Sequence, residues 1–311
     1  MRRTAYDKTI RRKGKNMIFR LQKRLLFLLP LLCLVLSFLF PKEAMAGATQ
    51  GVQLILSGAL PALFPALFLC RAIALSLPQN SPKLMRFLPL MLALLCGAPI
   101  GALTAAHLSK TGAISQKEAE RDLFSCGLVG PSFLIGVAGV GLMHSARAGL
   151  FLYLAQTAFA IISFFLLHRS LPRPKMSHRP RAEDSSLSLS AVFSQSLRES
   201  IGAFGVICGS IVFFSFLASL LQAIVSWRDA PAAAITLFLE LTSGVHALTK
   251  IAREPAFLFL SAGCGWGSCS VHLQTLSVIR PAGLSPKLYF AGRVVESLFL
   301  LGIVKILDWF L

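Results

Sequence analysis

Residues 255–279 read PAFLFLSAGCGWGSCSVHLQTLSVI. The stretch carries no Asp, Glu, Lys or Arg and is long enough to cross a bilayer core as a helix, which takes about 20 apolar residues. Its centre is a knot of small residues, Gly263-Cys264-Gly265-Trp266-Gly267-Ser268-Cys269-Ser270. Such a knot favours non-helical backbone, which survives at membrane depth only when it is buried in protein or lines a cavity. Leu123–Met143 has the same character, charge-free with Gly127, Gly130, Gly136, Gly139, Gly141 and Pro131. Interrupted apolar segments at corresponding places of two halves point to a transporter binding site.

The composition around these segments agrees. The chain has 311 residues, 55% hydrophobic and 14% charged, with mean hydropathy +0.70. A soluble domain carries about 25% charged residues, so a soluble enzyme is excluded and the expected class is an all-α polytopic membrane protein. The formal charge is +18, but the excess is local. Residues 1–24 hold ten Lys or Arg against Asp7, and residues 168–184 hold five against Glu183 and Asp184. Basic clusters beside apolar spans are orientation signals, and no nucleic-acid partner is expected because no basic-aromatic surface or binding motif appears. The seven cysteines lie mostly inside apolar runs, with no metal-ligand spacing. No disulfide framework, metal or cofactor is expected.

The organisation reads as four parts. Residues 1–46 are a basic N-terminus and a signal-anchor helix built on Leu25–Phe40. Ala44-Met45-Ala46 offers a small-x-small cleavage pattern as the alternative. Residues 47–167 form a first repeat, 168–197 a basic, Pro- and Ser-rich flexible linker, and 198–311 a second repeat. Each repeat has a long apolar span (51–77; 200–227) and then a span with a Gly-centred break (Gly97–Gly101; Thr242-Ser243-Gly244). A Gly/Ser-rich segment and a last helix follow (148–167; 288–307). Ser115 with Glu118 three residues on predicts a capped helix start.

Charge parity adds a topology. A basic N-terminus and a basic linker both belong in the cytoplasm, yet five apolar segments separate them, so one must enter and leave on the same side. Leu123–Met143 is assigned that re-entrant role, and Pro255–Ile279 its counterpart, which gives seven spanning helices and two inverted repeats.

The candidate binding residues cluster near the breaks. Glu240 is a carboxylate inside an apolar span, which is costly unless it is paired or faces water. It either faces a substrate cavity or is held by a neighbouring helix. Thr242 and Ser243 follow it with free hydroxyls. Ser270, His272 and Gln274 follow the second knot, where a half-helix N-terminus presents free N–H groups; His272 is otherwise interfacial. Ser132 is the matching position in the first half. Arg293 either reaches the substrate or pairs with Glu296 at i, i+3. No Gly-x-Ser-x-Gly elbow, His-Glu-x-x-His or Walker loop is present, so no catalytic role is assigned.

These motifs in this order resemble the sporulation integral membrane proteins of the YlbJ type, within the nucleoside-recognition "gate" domain group. The resemblance spans roughly 51–305. It rests on Leu63-Phe64-Pro65, Gly97-Ala98-Pro99-Ile100-Gly101-Ala102, Gly112-Ala113-Ile114-Ser115, Gly130-Pro131-Ser132-Phe133-Leu134-Ile135-Gly136, Leu239-Glu240-Leu241-Thr242-Ser243-Gly244 and Ser270-Val271-His272-Leu273-Gln274, with Tyr289 to Arg293. It implies passage of dipicolinate across a membrane around the forespore. The wider group implies nucleoside transport instead. The chain departs from the family pattern at Leu103, at Ser125-Cys126-Gly127, and at Arg293 and Glu296.

The expected protein is therefore a carrier or channel-like transporter for a small anionic or aromatic metabolite in a bacterial cell membrane, N-terminus cytoplasmic. Its alternatives are a nucleoside or nucleobase transporter and a non-transporting membrane scaffold. Its partners are the substrate, lipids, and a second copy or a sporulation membrane protein. Reporter fusions after Leu171 and Leu311 should report cytoplasm and exterior respectively; an exterior signal at 171 would refute the parity argument.

Overall fold

Leu25–Phe40 is apolar on every face, and Pro41 cannot continue a helix because it has no N–H to give. The computed structural model, which describes residues 27–76, 82–169, 188–225 and 229–310, ends helix α1 (Phe27–Leu39) at that point and turns the chain by 110° into the next helix. Pro41 opens α2 (Pro41–Leu54) at its first turn, where a missing N–H costs nothing. The Ala44-Met45-Ala46 pattern lies inside α2, with Ala44 buried. A π-helical turn, π1 (Ile55–Ala59), then leads into α3 (Leu60–Ser76). The widened turn ends two residues before Pro61 and contains Ser57, four residues ahead of that proline, so it relieves the ring-to-carbonyl clash that proline brings. The first long span thus begins ten residues earlier than the apolar run at Gly51.

Its partner is α8 (Leu189–Val225), 37 residues and about 55 Å long at 1.5 Å per residue. The two run antiparallel. Ser219 Oγ donates to the Glu43 carbonyl at 2.9 Å. Gly47 meets Ser215 and Ser219, Gly51 meets Val212, Phe64 meets Phe204, and Arg71 pairs with Glu199. Gly47 and Gly51 have no side chain to hold the helices apart, so backbones touch, as small-x-x-x-small pairs permit.

The remaining elements are α4 (Pro82–Cys96), α5 (Ile100–Thr111), α6 (Gln116–Ser125), π2 (Ser132–Leu142), α7 (Ala146–His168), α9 (Asp229–Leu239), α10 (Leu241–Leu248), α11 (Arg253–Trp266), α12 (Cys269–Ile279) and α13 (Lys287–Phe310). Ser115 caps α6 in a full capping box with Glu118. Among the described residues every regular element is helical.

Two pairs fold back on themselves. In α4–α5, a Cβ on Gly101 would sit 2.6 Å from the Ala93 Cβ, and Arg86 near the start of α4 reaches Glu118 at the start of α6 at 2.8 Å. In α9–α10, a Cβ on Gly244 would overlap the Leu237 backbone. Both pairs are short hairpins.

The segments read as hairpins from sequence instead run lengthwise along a neighbouring helix. Along α7, His168 meets Asp122 at 3.1 Å, Ser163 meets Ser125 at 2.8 Å, Gln156 meets Val129, and Gly149 meets Gly139. Residues 116–142 therefore run the whole length of α7. Along α13, Tyr289 meets His272 at 2.9 Å, Arg293 meets Gly265 and Ser297 meets Ala262 at 2.9 Å. Arg253–Ala282 counts as one 30-residue span rather than a bent pair. The re-entrant roles assigned to Leu123–Met143 and Pro255–Ile279 are thus corrected: the hairpins are 82–111 and 229–248. The glycine knots interrupt their helices without reversing them, because α7 and α13 supply the missing partners beside them.

Ala146–His168, Leu189–Val225 and Arg253–Ala282 are long and apolar enough to cross a membrane, and α1 with α2 and π1 would make a fourth if the bent pair is one span. Among the described residues that is fewer than the seven spans expected; Leu63–Ser76, Leu84–Cys96, Ser132–Leu142 and Asp229–Leu239 are apolar helices of only 10–17 residues. Large apolar side chains such as Leu154, Ile162, Phe165, Phe213, Val294 and Leu298 face outward, while Gln156, Glu240, Arg293 and Glu296 are inside. This arrangement suits a lipid surround, where polar groups must find partners within the protein.

Gly292 sits against the Phe124 carbonyl so closely that a Cβ would overlap it. Gly302, on the same helix, has open space. Overpacking costs about 1–3 kcal/mol, so Gly292→Leu should melt several degrees below the parent in detergent while Gly302→Leu should not.

Candidate functional site

Four helix interruptions converge on one small cavity of about 80 Å³. The first is the tip of the α4–α5 hairpin. Gly97 there takes φ +79°, a left-handed backbone that glycine adopts at little cost. It packs against the Gly130 backbone, and Ala98 N–H donates to the Leu128 carbonyl at 2.6 Å. The second interruption, residues 126–131, is therefore tied directly to the first. Gln156 of α7 completes it, accepting from Val129 N–H at 3.3 Å and donating to the Val129 carbonyl. A lone glutamine in an otherwise plain apolar span was the available signal for this role, and sequence reasoning passed over it.

The third interruption is Glu240 itself, at the tip of the α9–α10 hairpin. Its backbone is extended, and its carboxylate folds back to accept from Ser243 N–H at 2.6 Å. Glu240 is thus the N-cap of α10, where a negative charge meets the positive end of the helix dipole. The fourth is Gly267–Ser268, between α11 and α12. Ser268 caps α12 by accepting from Val271 N–H at 3.3 Å.

Leu63, Phe133, Ile207 and Ile211 make the apolar part of the wall. Glu240, Thr242 and Gln274 are its polar side chains, and Gly127, Gly130 and Gly267 expose backbone. Glu240, only 2% exposed, is the one acidic or basic side chain in this wall.

The structure sorts the expected residues. Glu240, Thr242 and Gln274 line the cavity together. Ser243 turns away to share a proton with Ser215 Oγ at 2.7 Å. Ser270 stands behind Gln274 and accepts from its amide at 3.0 Å. His272 lies one layer back, with Nδ1 on the Tyr289 hydroxyl. Ser132 is a correction: it is exposed at the start of π2, and Gly130 and Phe133 line the cavity instead. One position in a helix is 100° of rotation, which sequence alignment of the halves by eye does not resolve.

Arg293 is the larger correction. It is fully buried and is not in the cavity wall. Its guanidinium donates to the carbonyls of Gly127 at 2.6 Å, Phe124 at 3.2 Å and Gly265 at 3.3 Å, and pairs with Glu296 at 2.7 Å. Phe124 and Gly265 lie in the last turns of α6 and α11, and Gly127 in the segment after α6, where the two interruptions leave carbonyls without helical partners. A cation there also meets the negative ends of two helix dipoles. Arg293 is a brace between the two interrupted spans, and both terminal nitrogens of its guanidinium are spent on protein. Asp122 and Arg71, read as marks of span ends, are likewise buried; Asp122 meets His168 at 3.1 Å and Arg71 pairs with Glu199.

Removing one partner of a buried ion pair costs about 3–5 kcal/mol because the other charge is left alone. Arg293→Met should therefore fail to give a monodisperse protein on gel filtration. The double variant Arg293→Met/Glu296→Met should recover part of the yield but melt below the parent, since three carbonyls stay unpartnered.

No family model matches the chain, and no curated protein or solved structure is similar to it.

Proposed function

We propose that this chain is a membrane carrier whose substrate site is the cavity where the four helix interruptions meet. The convergence carries the reading. Each half contributes one hairpin tip and one interrupted span, in the same order. Half two starts on the face where half one ends, so the halves run in opposite directions across the membrane. Inverted repeats with broken helices at mid-depth are the architecture of many secondary transporters. In this reading α1, α2 with α3, residues 116–142, α7, α8, α11 with α12 and α13 each cross, which makes seven, so the cytoplasmic linker and N-terminus are retained in this proposal. So is the signal-anchor role of α1.

A volume of about 80 Å³ holds two or three waters at about 30 Å³ each. Metabolite sites run to about 300 Å³ and more. The structure is then the closed state, and entry requires the hairpins to move.

The wall chemistry favours a nucleoside or nucleobase over a dianion. Glu240 occupies the N-terminus of α10 that an anion would otherwise use, and Arg293 is withdrawn behind the wall. A neutral ring with N–H or O–H donors matches Glu240, Thr242 and Gln274. The motif resemblance supports dipicolinate passage during spore formation as the second reading. The scaffold alternative assigns the cavity no ligand. Transport needs no nucleophile–base pair, and the chain is proposed not to be an enzyme.

Uptake of labelled uridine beside labelled dipicolinate in proteoliposomes tests this, with wild type and Glu240→Gln. The expected result is uridine uptake that falls at least tenfold in the variant. Dipicolinate uptake alone would install the second reading. No uptake of either, with a phenotype only on deleting 168–197, would install the scaffold.

A further inference from the structure

Cys96 is the last residue of α4, one step before the hairpin tip, and it lines the cavity. Its Sγ lies 2.6 Å from the Sγ of Cys70 on α3. Both side chains are free thiols, Cys96 partly exposed and Cys70 buried. The sulfurs of a disulfide stand about 2.05 Å apart, so a small movement of either side chain brings these two to bonding distance. Cysteines that respond to oxidants share this arrangement: one sulfur within reach of the oxidant and a second beside it to resolve the product. A pair 26 residues apart on two helices carries no spacing signal in the sequence.

The cavity sets the size of the oxidant. About 80 Å³ is too little for a metabolite. It is enough for hydrogen peroxide, which is about the size of two waters at about 30 Å³ each.

We propose that Cys96 and Cys70 are a peroxide-reactive pair whose disulfide locks the carrier shut. The chemistry balances in two steps. Cys96 sulfur attacks one peroxide oxygen, the O–O bond breaks, the sulfur becomes a sulfenic acid, and the other oxygen leaves as water with the thiol proton. Cys70 sulfur then attacks Cys96 sulfur, the S–O bond breaks, and a second water carries off the Cys70 proton. Two thiols are oxidised and one peroxide is reduced.

The lock follows from where the sulfurs sit. Cys96 belongs to the α4–α5 hairpin, which must move for substrate to enter. Cys70 belongs to α3, which the Arg71–Glu199 pair and the Phe64–Phe204 contact fasten to α8. A Cys70–Cys96 bond staples the moving hairpin to that helix pair. The lock rests on the carrier reading; the disulfide does not.

The test treats the full chain in proteoliposomes with hydrogen peroxide, alkylates the remaining thiols and digests with trypsin. Cys70 and Cys96 fall on separate tryptic peptides, Glu43–Arg71 and Phe87–Lys110, and neither contains another cysteine. The two should appear as one linked mass that dithiothreitol splits. Peroxide should cut uridine uptake at least tenfold, and dithiothreitol should restore it. Cys70→Ala should transport at the parent's rate and keep that rate through the treatment. Unlinked peptides after peroxide would overturn the pair and leave the carrier intact. Linked peptides with undiminished uptake, or an equal loss of uptake in Cys70→Ala, would overturn the lock alone. Absence of uridine uptake from the reduced parent would overturn the carrier and the lock together, while the linked mass would still decide the disulfide.

Discussion

One guanidinium holds the two halves of this protein in register. A helix that stops inside a membrane leaves up to four carbonyls without partners, and no water is at hand to take them. Two of the four interruptions, after Ser125 and after Trp266, leave such carbonyls in an apolar surround. Arg293 answers both stops from a single position on α13, reaching carbonyls of α6, of the segment after it, and of α11. Glu296 balances its charge from the next turn. Without this brace neither interruption could be tolerated, and without the interruptions no backbone would be free to form a site.

The glycines follow from the same requirement. A Cβ on Gly127 would lie 2.5 Å from the Arg293 guanidinium carbon. Gly265 and Gly292 let α13 lie backbone-to-backbone against α11 and α6. The small residues that make the segments look poorly helical are thus the ones that admit the arginine. Interruption and repair are encoded some 166 residues apart in the chain.

This explains what could be read from the sequence. Helicity, apolar helices that suit a membrane, the capped start at Ser115 and the place of Glu240 at a helix break are local properties of composition and spacing, and they were legible. The identity of the hairpins was not. A Gly-rich break in a helix says that the chain deviates, but the direction it takes depends on what lies beside it. Gly97 and Glu240 turn back because Ala93 and Leu237 accept close packing from Gly101 and Gly244. Residues 126–131 continue because Gln156 and Arg293 carry their backbone. Arg293 looked available for substrate for a related reason: its i, i+3 acid is visible in sequence, whereas its three carbonyl partners are tertiary. His272 and Gln274 stand two residues apart, yet only one faces the cavity, a matter of helix rotation that no pattern of small residues records.

The hairpins have a consequence for how the chain is made. Each tip is completed by a segment translated later: Ala98 waits for Leu128, and Glu240 shares its cavity with Gly267 and Gln274. At roughly 5–20 residues per second during synthesis, the delay is a few seconds. In the carrier reading the tips lie at membrane depth, and through that interval a half-length helical pair with open backbone groups must then be sheltered from lipid by something other than its own chain. The insertion machinery, or a waiting position at the headgroup boundary, has to hold it. Such hairpins would enter the membrane only once their covering span arrives, so the order of insertion departs from the order of translation.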